Sequence, residues 1–195
     1  MNIKINQLQN TYKNIIRFKE YIKYSQRINM ITMLLPGNTN LLSKMYKIIL
    51  NFSLKGVGFN KKKALSFFLA IEYLTNQKCI ATLSTKNVLE WKLRKGVLVG
   101  CKVTLRKNNL FDFLDILFVT LPRLEKFDGI VIKDTKIQPS NTFNMKLSEL
   151  ILFYPIELGL GINTEVKELD ITFIFSSLTI EEKTFLLSMY KIPLL

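Results

Sequence analysis

The sequence predicts an α+β fold: a mainly antiparallel sheet with helices packed on one face and a basic surface on the other. Three observations carry this reading. Two separated runs, Tyr46–Ser53 and Val97–Arg106, alternate apolar and polar residues as half-buried strands do. Residues 61–75 and 108–121 instead place apolar side chains at helical spacing. The chain has 195 residues, 48% of them hydrophobic, which is enough for one domain core. A basic N-terminal extension, 1–45, is expected to precede an α+β domain, 46–195.

The elements follow in order. Gln9–Tyr24 reads as a weak helix, and Ile28–Asn40 as irregular chain around Pro36 and Gly37. In the first strand, Tyr46, Ile48, Leu50 and Phe52 face the core, opposite Lys47, Ile49, Asn51 and Ser53. Asn60 is an N-cap candidate for the helix at 61–75, whose apolar stripe is Ala64, Phe67, Phe68, Ile71 and Leu74. Cys79–Leu83 forms a short strand, and Ser84–Gly96 a polar, basic loop. In the next strand Val97, Val99, Cys101, Val103 and Leu105 face the core, opposite Gly100, Lys102, Thr104 and Arg106. Asn108 or Asn109 opens a helix that Pro122 ends or kinks. Phe127–Asn141 is a loop, followed by strands at Thr142–Leu147 and Asp170–Ser176, the latter with Ile171, Phe173 and Phe175 inward. Thr179-Ile-Glu-Glu182 is a capping box for a last helix ending near Tyr190.

Charge points to the partner. The net charge is +13, but residues 1–107 hold 20 Lys and Arg against 3 Asp and Glu, while residues 108–195 hold 8 against 12. An ordinary solvated surface mixes both signs. A half almost free of carboxylates calls for an external polyanion, and a free basic sheet face is a surface suited to RNA. Lys enrichment from base composition would explain many lysines, but not the absence of acids from one half. There are no histidines, the commonest general base and metal ligand. Cys79 and Cys101 are isolated thiols, too few for a zinc site, and are expected to be buried or half-buried in a reducing compartment. No metal, cofactor or catalytic residue is expected. The uncharged stretch 28–43 is too short and too polar to span a bilayer.

Three constellations are candidates for RNA contact. Lys55-Gly-Val-Gly58 before Lys61, Lys62 and Lys63 can form a phosphate-binding nest, although a plain tight turn explains the glycines equally well. The Ser84–Gly96 loop carries Lys86, Lys92, Arg94 and Lys95 around Trp91; basic groups contact phosphates and the aromatic ring stacks on a base. Having no apolar stripe, this loop is expected to draw its order from external contacts. Lys102, Thr104 and Arg106 match Lys47, Asn51 and Ser53 in chemistry, and form a patch if the two strands align in one sheet. Asp112 and Asp115, three apart on a helix, read as solvation.

The run Gly100-Cys-Lys-Val-Thr-Leu-Arg106 resembles the signature strand of the bacterial-type large-subunit ribosomal protein L-five family. Lys47–Asn51 with Gly56-Val-Gly58, Thr75–Lys78, Trp91–Arg94 with Gly96, Leu121–Arg123, Phe127–Gly129, Asp170–Thr172 and Glu181–Glu182 resemble further family anchors in the same order, across roughly 46–195. The resemblance implies a non-enzymatic protein of the central protuberance that holds 5S rRNA. Its basic loop would reach the peptidyl-site tRNA, and its outer side would meet neighbouring ribosomal proteins, including a small-subunit bridge protein. Carried onto this chain, it implies rRNA contacts for Lys47, Asn51, Lys102, Thr104 and Arg106, and a tRNA-facing loop with Lys86, Trp91, Lys92 and Arg94. Glu90 and Asp128 depart from the family pattern, as does the absence of a glycine-rich run in 130–141. Enrichment in Lys, Asn, Ile and Phe points to an organelle-encoded member, with the mitochondrion favoured over a plastid or a bacterial cytoplasm. A free-standing RNA-binding factor in ribosome assembly is the alternative.

Overall fold

The computed structural model describes residues 19–25, 27–33, 42–53, 61–90, 93–124, 141–147, 150–154, 156, 168–176, 179–190 and 192. Residues 19–25 and 27–33 are helical (α1). Then come β1 (Met45–Ser53), α2 (Lys61–Thr75), β2 (Ile80–Leu83), β3 (Leu98–Leu105), α3 (Asn108–Thr120), β4 (Thr142–Leu147), β5 (Leu169–Phe175) and α4 (Ile180–Met189). The five strands form one sheet in the order β2-β3-β1-β5-β4, and every pairing is antiparallel. The α+β class expected from the sequence is the one observed.

Alternation sets the two faces of the sheet. Ile48, Leu50 and Phe52 of β1 are wholly buried, as are Cys101 and Leu105 of β3 and Ile171 and Phe173 of β5. The helices cover this face. Ala64, Phe67, Ile71 and Leu74 of α2 are buried as their spacing predicts, with Phe67 edge-to-face on Phe52 at 6.2 Å between ring centroids. Leu110, Phe113, Leu114 and Leu117 of α3 and Leu186 and Leu187 of α4 complete the core. Ile22 and Met30 of α1 are 2% and 1% exposed and belong to the same core, so residues ahead of β1 help to build it.

The helix ends follow from local chemistry. Asn76 sits at φ 51 beyond α2 and its N–H donates to the Glu72 carbonyl at 2.9 Å, a left-handed stop that asparagine tolerates. The Thr179 hydroxyl accepts from the Glu182 N–H at 3.3 Å, as the capping box predicts. The Glu182 carboxylate accepts from Ser43 Oγ at 2.6 Å and so ties the start of α4 to the chain entering β1.

Three expectations are corrected. Tyr46 is 64% exposed, not on the core face, because the β1–β5 register shifts between Met45 and Lys47. A bulge adds one residue, and Met45 packs on the core in its place. A second shift lies between Thr82 and Leu83, where β2 skips Val99; Leu98 then packs against the core while Val97 and Val99 are half-buried. Residues 27–33 are helical, not irregular: Pro36 restricts only its immediate neighbourhood, and Met30 gains a core site. Asn60, residues 9–18 and most of 127–141 lie outside the described residues.

Gly100 leaves no room for a side chain. A Cβ added there would collide with the Phe52 carbonyl oxygen and crowd Thr82 Oγ1. Gly100→Ala is therefore expected to lower stability by about 1–3 kcal/mol, the usual cost of overpacking, read as a lower urea midpoint with an unchanged slope. An unchanged midpoint would show that β1 and β3 can separate there without cost. Thr179→Ala removes a cap and is expected to cost about 1 kcal/mol in the same assay.

Candidate nucleic-acid interface

Cross-strand register decides which side chains share the open face. Asn51 stands opposite Lys102 on β3 and Asp170 on β5, and Lys146 of β4 stands opposite Asp170. One row therefore runs Lys102, Asn51, Asp170, Lys146. The next runs Thr104, Ile49, Thr172, Asn144. Lys47 and Arg106 lie one step past the paired residues Ile48 and Leu105. Lys102 and Arg106 are exposed; Lys47, Asn51 and Thr104 are half-buried. The structure thus aligns β1 and β3 as the patch requires.

The charge asymmetry along the chain becomes an asymmetry across the sheet. β2, β3 and β1 come from the basic half and lie together, while β5 and β4 come from the acidic half. Lys146 and Asp170 are not among the candidate contact residues, although the alternation of their strands turns both outward. Their ion pair, 3.8 Å with side chains 81% and 38% exposed, is a surface contact of small energetic weight. It takes up the carboxylate in this row, and among the described residues of the two rows there is no other acid.

The other candidates belong to other segments of the chain. Lys61, Lys62 and Lys63 open α2, whose first turn holds no acid. Lys55, Trp91 and Lys92 lie outside the described residues. Lys86, Arg94 and Lys95 are exposed on the 84–96 loop, which leaves the sheet at the β2 edge. The described residues of that loop form hydrogen bonds among themselves. Val88 and Leu93 exchange backbone hydrogen bonds at 2.9 and 3.0 Å, and Ser84 accepts from Gly96 at 2.9 Å. The Asn87 side chain accepts from the Lys95 N–H at 2.7 Å, and Gly96 supplies a positive φ of 84. Backbone and amide groups thus tie the two described arms of this loop together.

These features define the class first: a layered α+β protein with one helix-covered sheet face and one cation-bearing face. The family model for the C-terminus of the ribosomal protein L-five family matches residues 98–194. The chain is 31% identical over 179 residues to the large ribosomal subunit protein uL5m of Reclinomonas americana, covering 91% of this chain and 97% of that protein. It is 32% identical over 174 residues to the large ribosomal subunit protein uL5 of Vesicomyosocius okutanii, covering 88% and 95%. The chain belongs to the ribosomal protein L-five family, and is a structural component of the ribosome and not an enzyme.

Two thiols and two carboxyls off this face are pushed toward their neutral forms. Burial, with Cys79 beside it, pushes the Cys101 thiol up to about 12. Burial and Glu72 raise Cys79. Neither thiol is a ready thiolate at neutral pH. Asp112 and Asp115 are half-buried, which corrects their reading as a solvated pair. Burial, and then Asp112, raise the Asp115 carboxyl to about 6; burial raises Asp112 against the opposing pull of Lys19. One Asp112 oxygen is buried without a hydrogen-bond partner. A carboxyl raised on folding favours the folded state below its unfolded value, and that contribution is lost as pH climbs through about 6. Asp115→Asn is therefore expected to raise Tm more at pH 7.5 than at pH 4. An equal shift at both would show that the site does not discriminate charge.

Proposed function

We propose that this chain is a structural constituent of the large ribosomal subunit that binds central-protuberance rRNA, including 5S rRNA, through the open sheet face. The observation that carries the reading is the alignment of Lys102 on β3, and Arg106 just beyond it, with Asn51 and Lys47 on β1. Exposed cations on a flat face meet phosphates, and Asn51 and Thr104 between them offer hydrogen bonds to phosphate or ribose. The 84–96 hairpin, with Lys86, Arg94 and Lys95 outward, is suited to approach the peptidyl-site tRNA. Neighbouring ribosomal proteins, including a small-subunit bridge protein, are the protein partners. Likeness to the uL5m protein of Reclinomonas americana supports a mitochondrial ribosome.

Lys102→Glu with Arg106→Glu is expected to weaken 5S rRNA binding by on the order of tenfold or more, because two phosphate contacts become repulsive. Far-ultraviolet circular dichroism should remain unchanged, since both side chains point to solvent. The wild-type binding constant should fall linearly in log–log form as salt rises. Wild-type affinity at the charge-reversed variant, or indifference to salt, would sink the reading. Co-sedimentation with large subunits at high salt separates a resident ribosomal protein from a free-standing assembly factor.

A further inference from the structure

A groove lies on the helical side, away from the open sheet face. Its volume is about 580 Å³, and its walls come from α1, residues 42–45, Phe111 of α3 and Tyr190 beyond α4. We infer that this groove is a pocket for a single unstacked nucleotide of RNA. The inference rests on the RNA-binding reading above, but concerns different residues.

Charge selects the class of ligand. Lys23 and Arg27 stand one helical turn apart on one wall, and Lys44 stands on another. Glu20 is the one carboxylate among the lining residues. Among the described interactions no ion pair holds Lys23, Arg27 or Lys44. Lys19 continues the same ridge of α1, and its Nζ donates to Asn108 Oδ1 at 2.6 Å, which anchors the ridge at the start of α3. Such a rim attracts an anion, and phosphate suits both the arginine fork and the point charges of lysine.

Shape and aromaticity narrow the class further. Tyr24 is 72% exposed at the rim, with its ring free to stack. Met30 and Tyr190, 1% and 2% exposed, and half-buried Phe111 give the groove an apolar floor. A phosphate alone would leave that floor and ring unused. A nucleotide matches all three features: phosphate for the cations, a flat base for Tyr24 and a volume within the range of small-ligand pockets. The base must be unpaired, because a duplex keeps its bases stacked inside. A polyglutamate peptide would match the cations but has no ring to lay on Tyr24.

The test uses the full-length protein and a fluorescein-labelled single-stranded RNA pentamer, followed by fluorescence anisotropy. Lys23→Ala with Arg27→Ala is expected to weaken binding by about tenfold through lost phosphate contacts. Tyr24→Ala is expected to weaken it by about fivefold or more through lost stacking, while Tyr24→Phe restores wild-type affinity. Tyr24 stands mostly in solvent, so neither substitution disturbs the core, which circular dichroism checks. Duplex RNA should fail to displace the pentamer. Wild-type binding by Tyr24→Ala, or equal displacement by duplex RNA or a polyglutamate peptide, would overturn the inference. If Lys102→Glu with Arg106→Glu abolishes pentamer binding while the groove variants do not, the groove falls and the sheet reading stands. If the wild-type protein binds neither the pentamer nor 5S rRNA, the RNA reading itself falls.

Discussion

The antiparallel pairing of β1 with β3 on one side and β5 on the other is the constraint from which the rest of the structure follows. In a strand the side-chain period is two, so a slip of one residue would move Ile48, Leu50 and Phe52 to solvent and bring Lys47 and Asn51 inside. Burying those three residues against α2 and α3 resists that slip. The register that buries the core is also the register that sets Asn51 beside Lys102. Core and surface are thus two outcomes of one alignment. Gly100 helps to hold it, since an added side chain would collide with the Phe52 carbonyl oxygen of β1.

Much of this was legible in the residues. The alternation at 46–53 and 97–106, the stripe from Ala64 to Leu74 and the capping box at Thr179 rest on local periodicity, and each appears where the pattern puts it. The misses have a common physical origin. Tyr46 and Val99 lie at bulges, and a bulge is set by how two strands fit together, not by either strand alone. Residues 27–33 gain helical structure from the core that receives Met30, and no local pattern announces that core. The hydrogen bond from the Lys95 N–H to Asn87 is likewise a pairing that composition alone does not reveal. The open-face patch was legible as a condition on strand alignment. The groove was not, because it is assembled from segments as distant in sequence as Lys23 and Tyr190.

Electrostatics separate surface from interior in a consistent way. The cations that face outward on β1 and β3 sit on strands that carry no acids, while the half-buried carboxylates Asp112 and Asp115 are confined to α3, where they cost stability at neutral pH. Lys19 lies at the α1–α3 contact and partly offsets that cost for Asp112. The one acid in the central row, Asp170, is met by Lys146 from its own half of the chain. That pair is closed within the C-terminal half of the chain.

The strand order also imposes a timetable on synthesis. β1, β3 and β2 are contained within residues 45–105, so this basic three-stranded unit can pair while the C-terminal half is still being made. The other side of β1 must wait for β5, more than a hundred residues later, and loop closure over that distance is slow. During that interval Ile48 and Leu50 lack Phe173 and Ile171 as neighbours, and the long edge of β1 is open to strand addition by other chains. Arrival of β5 closes that edge, leaving the four-residue β2 and the lysine-bearing β4 as the borders of the sheet, both of them poor templates for aggregation.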